Sequence, residues 1–172
     1  PGARRRHALT FDANRGRIVM FGGLGSLPMN DTWEWAGASN WSRVNTVHSP
    51  PSRYYATAGY DSVNQRVLVG GGGPGSGPIA TDHWFSDLWS FDGVDWSQVS
   101  SARWATSIGG GSAYDPVRQK LVAFGGWAGT SAAAGFVADL WEWNGTNWTY
   151  YPPGPEPRRW PSTTWDGVNN KV

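Results

Sequence analysis

A chain of 172 residues is long enough for one substantial core, and a formal charge of +1 carries no field that would draw nucleic acid or an anionic membrane surface. Cysteine is absent, which excludes disulfides, thiolate metal sites and cysteine nucleophiles within these residues. No apolar run approaches the ~18 residues of a membrane helix, so no membrane span is expected. The chain opens at Pro1 without a signal peptide or initiator Met, so a processed or excerpted product is expected.

Strand signals then follow in chain order. Residues 7–12 read as a first strand ending in the aromatic–Asp step Phe11-Asp12, and 12–16 as a turn. The consecutive apolar residues Ile18, Val19, Met20 and Phe21 predict a second strand covered on both faces, closed by Gly22-Gly23. A loop over 24–30 follows. Trp33 and Trp35, two apart, share one face of a third strand, and Trp41 opens a fourth. The second repeat runs through Tyr60-Asp61, Val67-Leu68-Val69, Gly71-Gly72, a loop over 73–86, then Trp89/Phe91 and Trp96. The third has Tyr114-Asp115, residues 121–124, Gly125-Gly126, a loop over 127–138, then Trp141/Trp143 and Trp148. Asp92-Gly93 and Asn144-Gly145 are tight-hairpin dipeptides. A fourth repeat begins at Trp165-Asp166 and reaches Lys171-Val172.

The aromatic–Asp steps recur about 50 residues apart, a period of stacked-repeat architecture. Helix signals are almost absent. The expected fold is all-β, with four-stranded antiparallel sheets stacked radially as propeller blades. Gly-Gly after an apolar strand, an aromatic strand after a variable loop, and a further Trp some residues on together resemble the kelch-repeat family. The form FGG…NDTWEW…NW is most similar to bacterial extracellular kelch proteins, which implies an extracellular or cell-surface setting. The resemblance divides the chain into repeats at 1–50, 51–100 and 101–152, with the start of a fourth at 153–172. Two departures stand out: Gly70 replaces the Phe of the second FGG element, and the stretch from Arg103 to Asp115 is four residues long by excess.

Antiparallel order sorts the connections to two ends. The one–two and three–four turns lie at one end, and the variable two–three loops and inter-repeat links at the other. Variable loops on a regular scaffold are where function concentrates. The candidate binding rim is therefore Arg53, Tyr54, Tyr55, Asp82, His83, Trp84, Phe85, Arg103, Trp104, Trp127, Phe136, Arg158 and Trp160. Eight of the 13 tryptophans hold repeat-equivalent positions and read as packing, and Trp165 also fits the repeat. The arginines at the repeat starts have a structural alternative, bonding to carbonyls or to the repeat aspartates.

Other constellations are weaker. Asp82-His83 with Asp87 lacks metal-ligand spacing, so no metal or cofactor is expected. Arg4-Arg5-Arg6 and Arg158-Arg159 are too few for a nucleic-acid surface. Glu34 and Glu142 are repeat-equivalent rather than a catalytic pair. Copper-radical oxidases, which the resemblance brings in, need a Cys–Tyr crosslink that this chain cannot make. The expected function is a non-catalytic propeller segment for protein binding or self-assembly. A carbohydrate-binding propeller is the alternative, and a non-copper enzyme of the kelch-like group the third. Kelch propellers have about six or seven blades, so further blades, from the same protein or from other copies, are the expected partners, beside a glycan or protein ligand.

Overall fold

The computed structural model describes residues 1–37, 40–74, 84–101, 104, 107–128, 135–152, 154–158 and 161–172. Each of the three repeats folds into one four-stranded antiparallel sheet, with the strands in chain order. Sheet 1 holds β1 (Ala8–Asp12), β2 (Arg17–Leu24), β3 (Pro28–Trp35) and β4 (Trp41–Val44). Sheet 2 holds β5 (Thr57–Asp61), β6 (Arg66–Gly70), β7 (Leu88–Phe91) and β8 (Trp96–Ser100). After the short β9 (Ser107–Ile108), sheet 3 begins with β10 (Gly111–Asp115) and β11 (Lys120–Phe124). Two short strands, β12 (Trp127–Ala128) and β13 (Gly135–Phe136), precede its last pair, β14 (Leu140–Trp143) and β15 (Trp148–Tyr151). The array of sheets is open. Among the described residues no helix is long and apolar enough to cross a membrane.

The repeated aspartates build the first hairpin of every repeat. Asp61 Oδ1 accepts from the amides of Val63 and Asn64, and Asp115 Oδ1 from those of Val117 and Arg118. Asp166 does the same for Val168 and Asn169, and a bridge between Asp166 and Lys171 closes the fourth repeat's turn. The turns then need a left-handed residue, which Gly16, Gln65, Gln119 and Asn170 supply at φ between 52° and 62°. In repeats one and three an arginine in this turn ties the aspartate to the third strand. Arg15 bonds Asp12 at 2.6 Å and Glu34 at 2.5 Å, and Arg118 bonds Asp115 and Glu142. Repeat two carries Asn64 instead, and Ser90 stands where the glutamate would be. Charge and counter-charge therefore come and go together between repeats.

Register and the two-residue period assign every side chain to a face. Val19 and Phe21 of β2 pair with Glu34 and Thr32 of β3, and all four point to sheet 2. Sheet 2 answers with Val67, Val69, Phe91 and Trp96, making a shared core with Ala8. Trp96 lies 5.0 Å from the Phe21 ring and donates Nε1–H to Thr32 Oγ1 at 2.9 Å. On its other face sheet 2 presents Leu68 and Leu88 to Tyr114, Leu121 and Trp143 of sheet 3. Here Leu88 stands in the place of Thr32, and Trp148 Nε1 finds no hydrogen-bond partner. Burying each of these large side chains contributes about 1.5–3 kcal/mol.

Two expectations need correction. The loop of repeat one is only residues 25–27, because β2 runs on to Leu24 through a bulge and β3 already starts at Pro28. Gly22-Gly23 therefore lies within β2, whereas Gly71-Gly72 and Gly125-Gly126 follow the ends of β6 and β11. Trp33 and Trp35 do share a face, but it is the open one of sheet 1, together with Leu9, Phe11, Ile18 and Met20.

Candidate functional site

The links between repeats are clamped onto the glycine doublets. Gly22 and Gly23 have φ of 64° and 98°, and the Gly23 amide donates to Arg53 O at 2.9 Å. A Cβ on Gly22 would stand 2.7 Å from that same carbonyl oxygen. Glycine is required both by the left-handed backbone and by the approaching link. Gly126 donates likewise to Arg158 O at 3.0 Å in the third repeat.

An arginine fixes the start of each of the first two repeats. Arg53 is fully buried and grips Asp87 with two bonds of 2.6 and 2.7 Å, while donating to Gly71 O and Pro51 O. Asp87 also accepts from Trp89 Nε1 at 2.7 Å. Arg4, Asp31 and Trp33 repeat the arrangement in sheet 1. These bidentate, charge-assisted pairs are the strong kind. Burial pushes the Asp31 carboxyl up, but the bonds from Arg4 and Trp33 outweigh it and hold it below its ordinary value. Burial, and then the nearby Arg4, lowers His7. The aspartates involved precede Trp by two positions and are not those of the aromatic–Asp steps. Asp-x-Trp recurs in all three repeats, at Asp31, Asp87 and Asp139, and was the signal that sequence reasoning passed over.

The predicted rim residues separate by burial. Arg53, Tyr54 and Trp104 are buried at 1%, 6% and 3% exposure. Trp104 stacks flat on Trp148 with centroids 4.0 Å apart, so its ring belongs to the packing between sheets 2 and 3. Tyr55, Trp84, Phe85 and Trp127 are half-buried, while Phe136 and Arg158 are exposed. Arg6 lies over the Tyr55 ring at 4.4 Å, and Arg53 over Phe85 at 4.3 Å. Trp127 and Phe136 meet edge to face at 5.0 Å. The loop that carries them is partly strand: β12 pairs with β13 and with β9 as an added three-stranded sheet. Asp82, His83, Arg103 and Trp160 lie outside the described residues.

The chain of links is continuous at this end. Tyr55 N donates to Arg6 O at 2.8 Å, and Gly109 N to Tyr55 O at 3.4 Å. Arg6, Tyr55 and Gly109 all have left-handed backbones, with φ of 60°, 60° and 69°. For an arginine and a tyrosine that is uncommon and costs energy. A recess of about 430 Å³ runs along the first strands, lined by Leu9, Phe11, Tyr60, Ser112, Tyr114 and Trp165. Burial and then Asp61 raise the Tyr114 hydroxyl, so it stays a neutral donor. A larger recess of about 860 Å³ opens on sheet 3, against Val122, Phe124, Leu140 and Glu142. No group of three or more His, Asp or Glu among the described residues is placed to hold a metal ion.

These features define an all-β protein of repeated four-stranded sheets, an arrangement consistent with a β-propeller-like fold. Among solved structures the chain is similar to the "Structure of YjhT", with a TM-score of 0.72 and 18% identity. The match covers 92% of this chain and 55% of that one, so this chain spans little more than half its length. At that identity the likeness shows the fold alone. No family model and no curated protein matches.

Proposed function

We propose that the chain is a kelch-type propeller segment with a non-catalytic recognition role, exerted through the rim formed by its links and two–three loops. The supporting observation is a division of labour among side chains. The repeat-position polar groups are spent within the fold: Arg4, Arg15, Arg53 and Arg118 each grip carboxylates, as do Trp33 and Trp89. The accessible aromatics that no repeat position requires, Tyr55, Trp84, Phe85, Trp127 and Phe136, gather at one end. Glu34 and Glu142, the repeat-equivalent glutamates, are likewise tied to arginines. The kelch-type motif adds the extracellular bacterial setting.

The reading is tested by screening immobilised protein against displayed peptides and a saccharide panel, then repeating each hit with Trp84→Ser/Trp127→Ser. Binding should fall at least tenfold, about 1.4 kcal/mol, while Val94→Ser at the opposite end leaves it unchanged. The reverse pattern would refute the rim. A carbohydrate ligand is the second reading, favoured by the partly exposed aromatic pair Trp127–Phe136, whose rings meet edge to face. Its signature is a saccharide-dependent change in tryptophan fluorescence that disappears with Trp127→Ser.

A further inference from the structure

Two departures from the repeat meet at one place. Gly70 stands where sheets 1 and 3 carry Phe21 and Phe124, and the stretch from Arg103 to Asp115 exceeds its counterparts by four residues. Between sheets 1 and 2, Phe21 lies 5.0 Å from the Trp96 ring, and Phe91 lies 5.1 Å from the same indole. Between sheets 2 and 3 the pair Phe91–Trp96 recurs as Trp143–Trp148 at 5.5 Å, but Gly70 has no ring to offer. Trp104 supplies one. Its indole stacks on Trp148 at 4.0 Å, and a Cβ on Gly70 would meet Trp104 Cζ2 at 3.0 Å. The indole is larger than the missing phenyl, and Ala123, packed against it, stands where sheet 2 has Val69 and sheet 1 has Met20. A close-packed interior leaves no hollow at a glycine unless another side chain fills it. Trp104, only 3% exposed, is that side chain.

The same excess also builds outward. Arg4 and Arg53 precede the left-handed Arg6 and Tyr55 by two residues, whereas Arg103 precedes the left-handed Gly109 by six. The four extra residues therefore fall in the segment that holds Trp104 and β9. That strand pairs with β12, Ile108 against Trp127 and Ser107 against Ala128, and β12 pairs with β13, Trp127 against Phe136. Three residues separate Trp104 from Ser107, a reach of at most roughly 11 Å. Among the described residues, repeats one and two have no counterpart of this added sheet. It carries the edge-to-face pair Trp127–Phe136 of the rim.

We propose that Trp104 is the positioning residue of that ring pair. Seated in the hollow at Gly70, it anchors β9, and β9 in turn holds β12 and the Trp127 ring in place. This deepens the recognition role and rests on the rim reading above. One residue thus joins packing to placement, and substitution can separate the two. Gly70→Phe/Leu88→Thr/Trp104→Ala carries the phenylalanine and threonine of sheet 1 into sheet 2, where Gly70 pairs with Leu88 as Phe21 does with Thr32. The hollow is then refilled from β6, Trp148 Nε1 is offered the acceptor it lacks, and the anchor is gone.

The test is amide hydrogen exchange on the whole chain, read without any ligand. In the refilled variant β6 and β11 should keep their wild-type protection, while the amides of β9 and β12 exchange at least tenfold faster. Wild-type protection of β9 and β12 in that variant overturns the proposal, because Trp104 would then be a filler alone. If the refilled variant melts early, Trp104→Ala takes its place. Its β9 and β12 amides should exchange as in an unstructured peptide while β6 and β11 remain protected, and protection retained in β9 and β12 overturns the proposal. The rim reading fails separately. Lost β12 protection with no binder found in the rim screen supports the anchor and ends the recognition role. A binder that Trp127→Ser abolishes, with β12 still protected in the refilled variant, overturns the anchor and leaves the recognition role standing.

Discussion

Replacing Asp87 with alanine strands a guanidinium in the interior. The Arg53 side chain is 0% exposed and Asp87 only 14%, so water cannot take over the lost bonds. Three are lost at once: two from Arg53, at 2.6 and 2.7 Å, and one from Trp89 Nε1 at 2.7 Å. Breaking a buried pair from one side costs about 3–5 kcal/mol, because the remaining charge is uncompensated. A chain of this length loses about 2–4 °C of Tm per kcal/mol, so the melting point should fall by roughly 10 °C. Urea titration alongside a thermal melt followed by near-ultraviolet dichroism measures both quantities. Arg53→Met/Asp87→Leu removes both charges and should recover most of the loss, since apolar replacement of a buried pair is often close to neutral. The reasoning fails if Asp87→Ala costs less than ~1 kcal/mol, or if the double variant is no more stable than the single.

Other expectations follow from the same contacts. Thr32→Val keeps the shape but leaves Trp96 Nε1 buried and unpaired, and should cost about 1–3 kcal/mol in urea titration. Gly22→Ala combines a left-handed backbone with a Cβ 2.7 Å from Arg53 O; a loss above ~1 kcal/mol is expected from the backbone alone, and no loss would show that the link is not clamped there. Acid should destabilise the fold. Burial raises Glu142 and Asp115, but hydrogen bonds from Lys120, Arg118 and Tyr151 to the first, and from Arg118 and Val117 to the second, leave both below their ordinary values. The bond from His48 lowers Asp95 to about 2. Carboxylates depressed on folding stabilise it fully above about pH 4 and lose that stability as pH falls through their folded values. Melting points measured from neutral pH downwards should therefore drop in acid, and Glu142→Gln should flatten the drop while costing stability at neutral pH. An unchanged acid slope in that variant would contradict the assignment.

Much of the architecture was legible because the repeat writes it in local chemistry. Asp12, Asp61 and Asp115 mark turns whose bonds are made within three residues, and Val67-Leu68-Val69 announce a strand covered on both sides, by sheet 1 and by sheet 3. What could not be read depends on partners far along the chain. Arg53 looks like a surface charge until Asp87 is placed beside it, 34 positions on. Trp104 reads as a spare ring because nothing local reveals that Trp148 will stack on it. Trp33 and Trp35 carry the same pattern as Trp141 and Trp143, yet Trp143 is buried against sheet 2 whereas no described sheet packs on the face that Trp33 and Trp35 share. The added strands β12 and β13 escaped notice because two residues each give no alternation to detect.

Amide hydrogen exchange resolved strand by strand tests most directly the claim that each repeat is one sheet built on its second strand. The account predicts the slowest exchange in β2, β6 and β11, recurring once per repeat, with the outer strands β4, β8 and β15 exchanging faster. Protection confined to one repeat, or slowest in the outer strands, would contradict it.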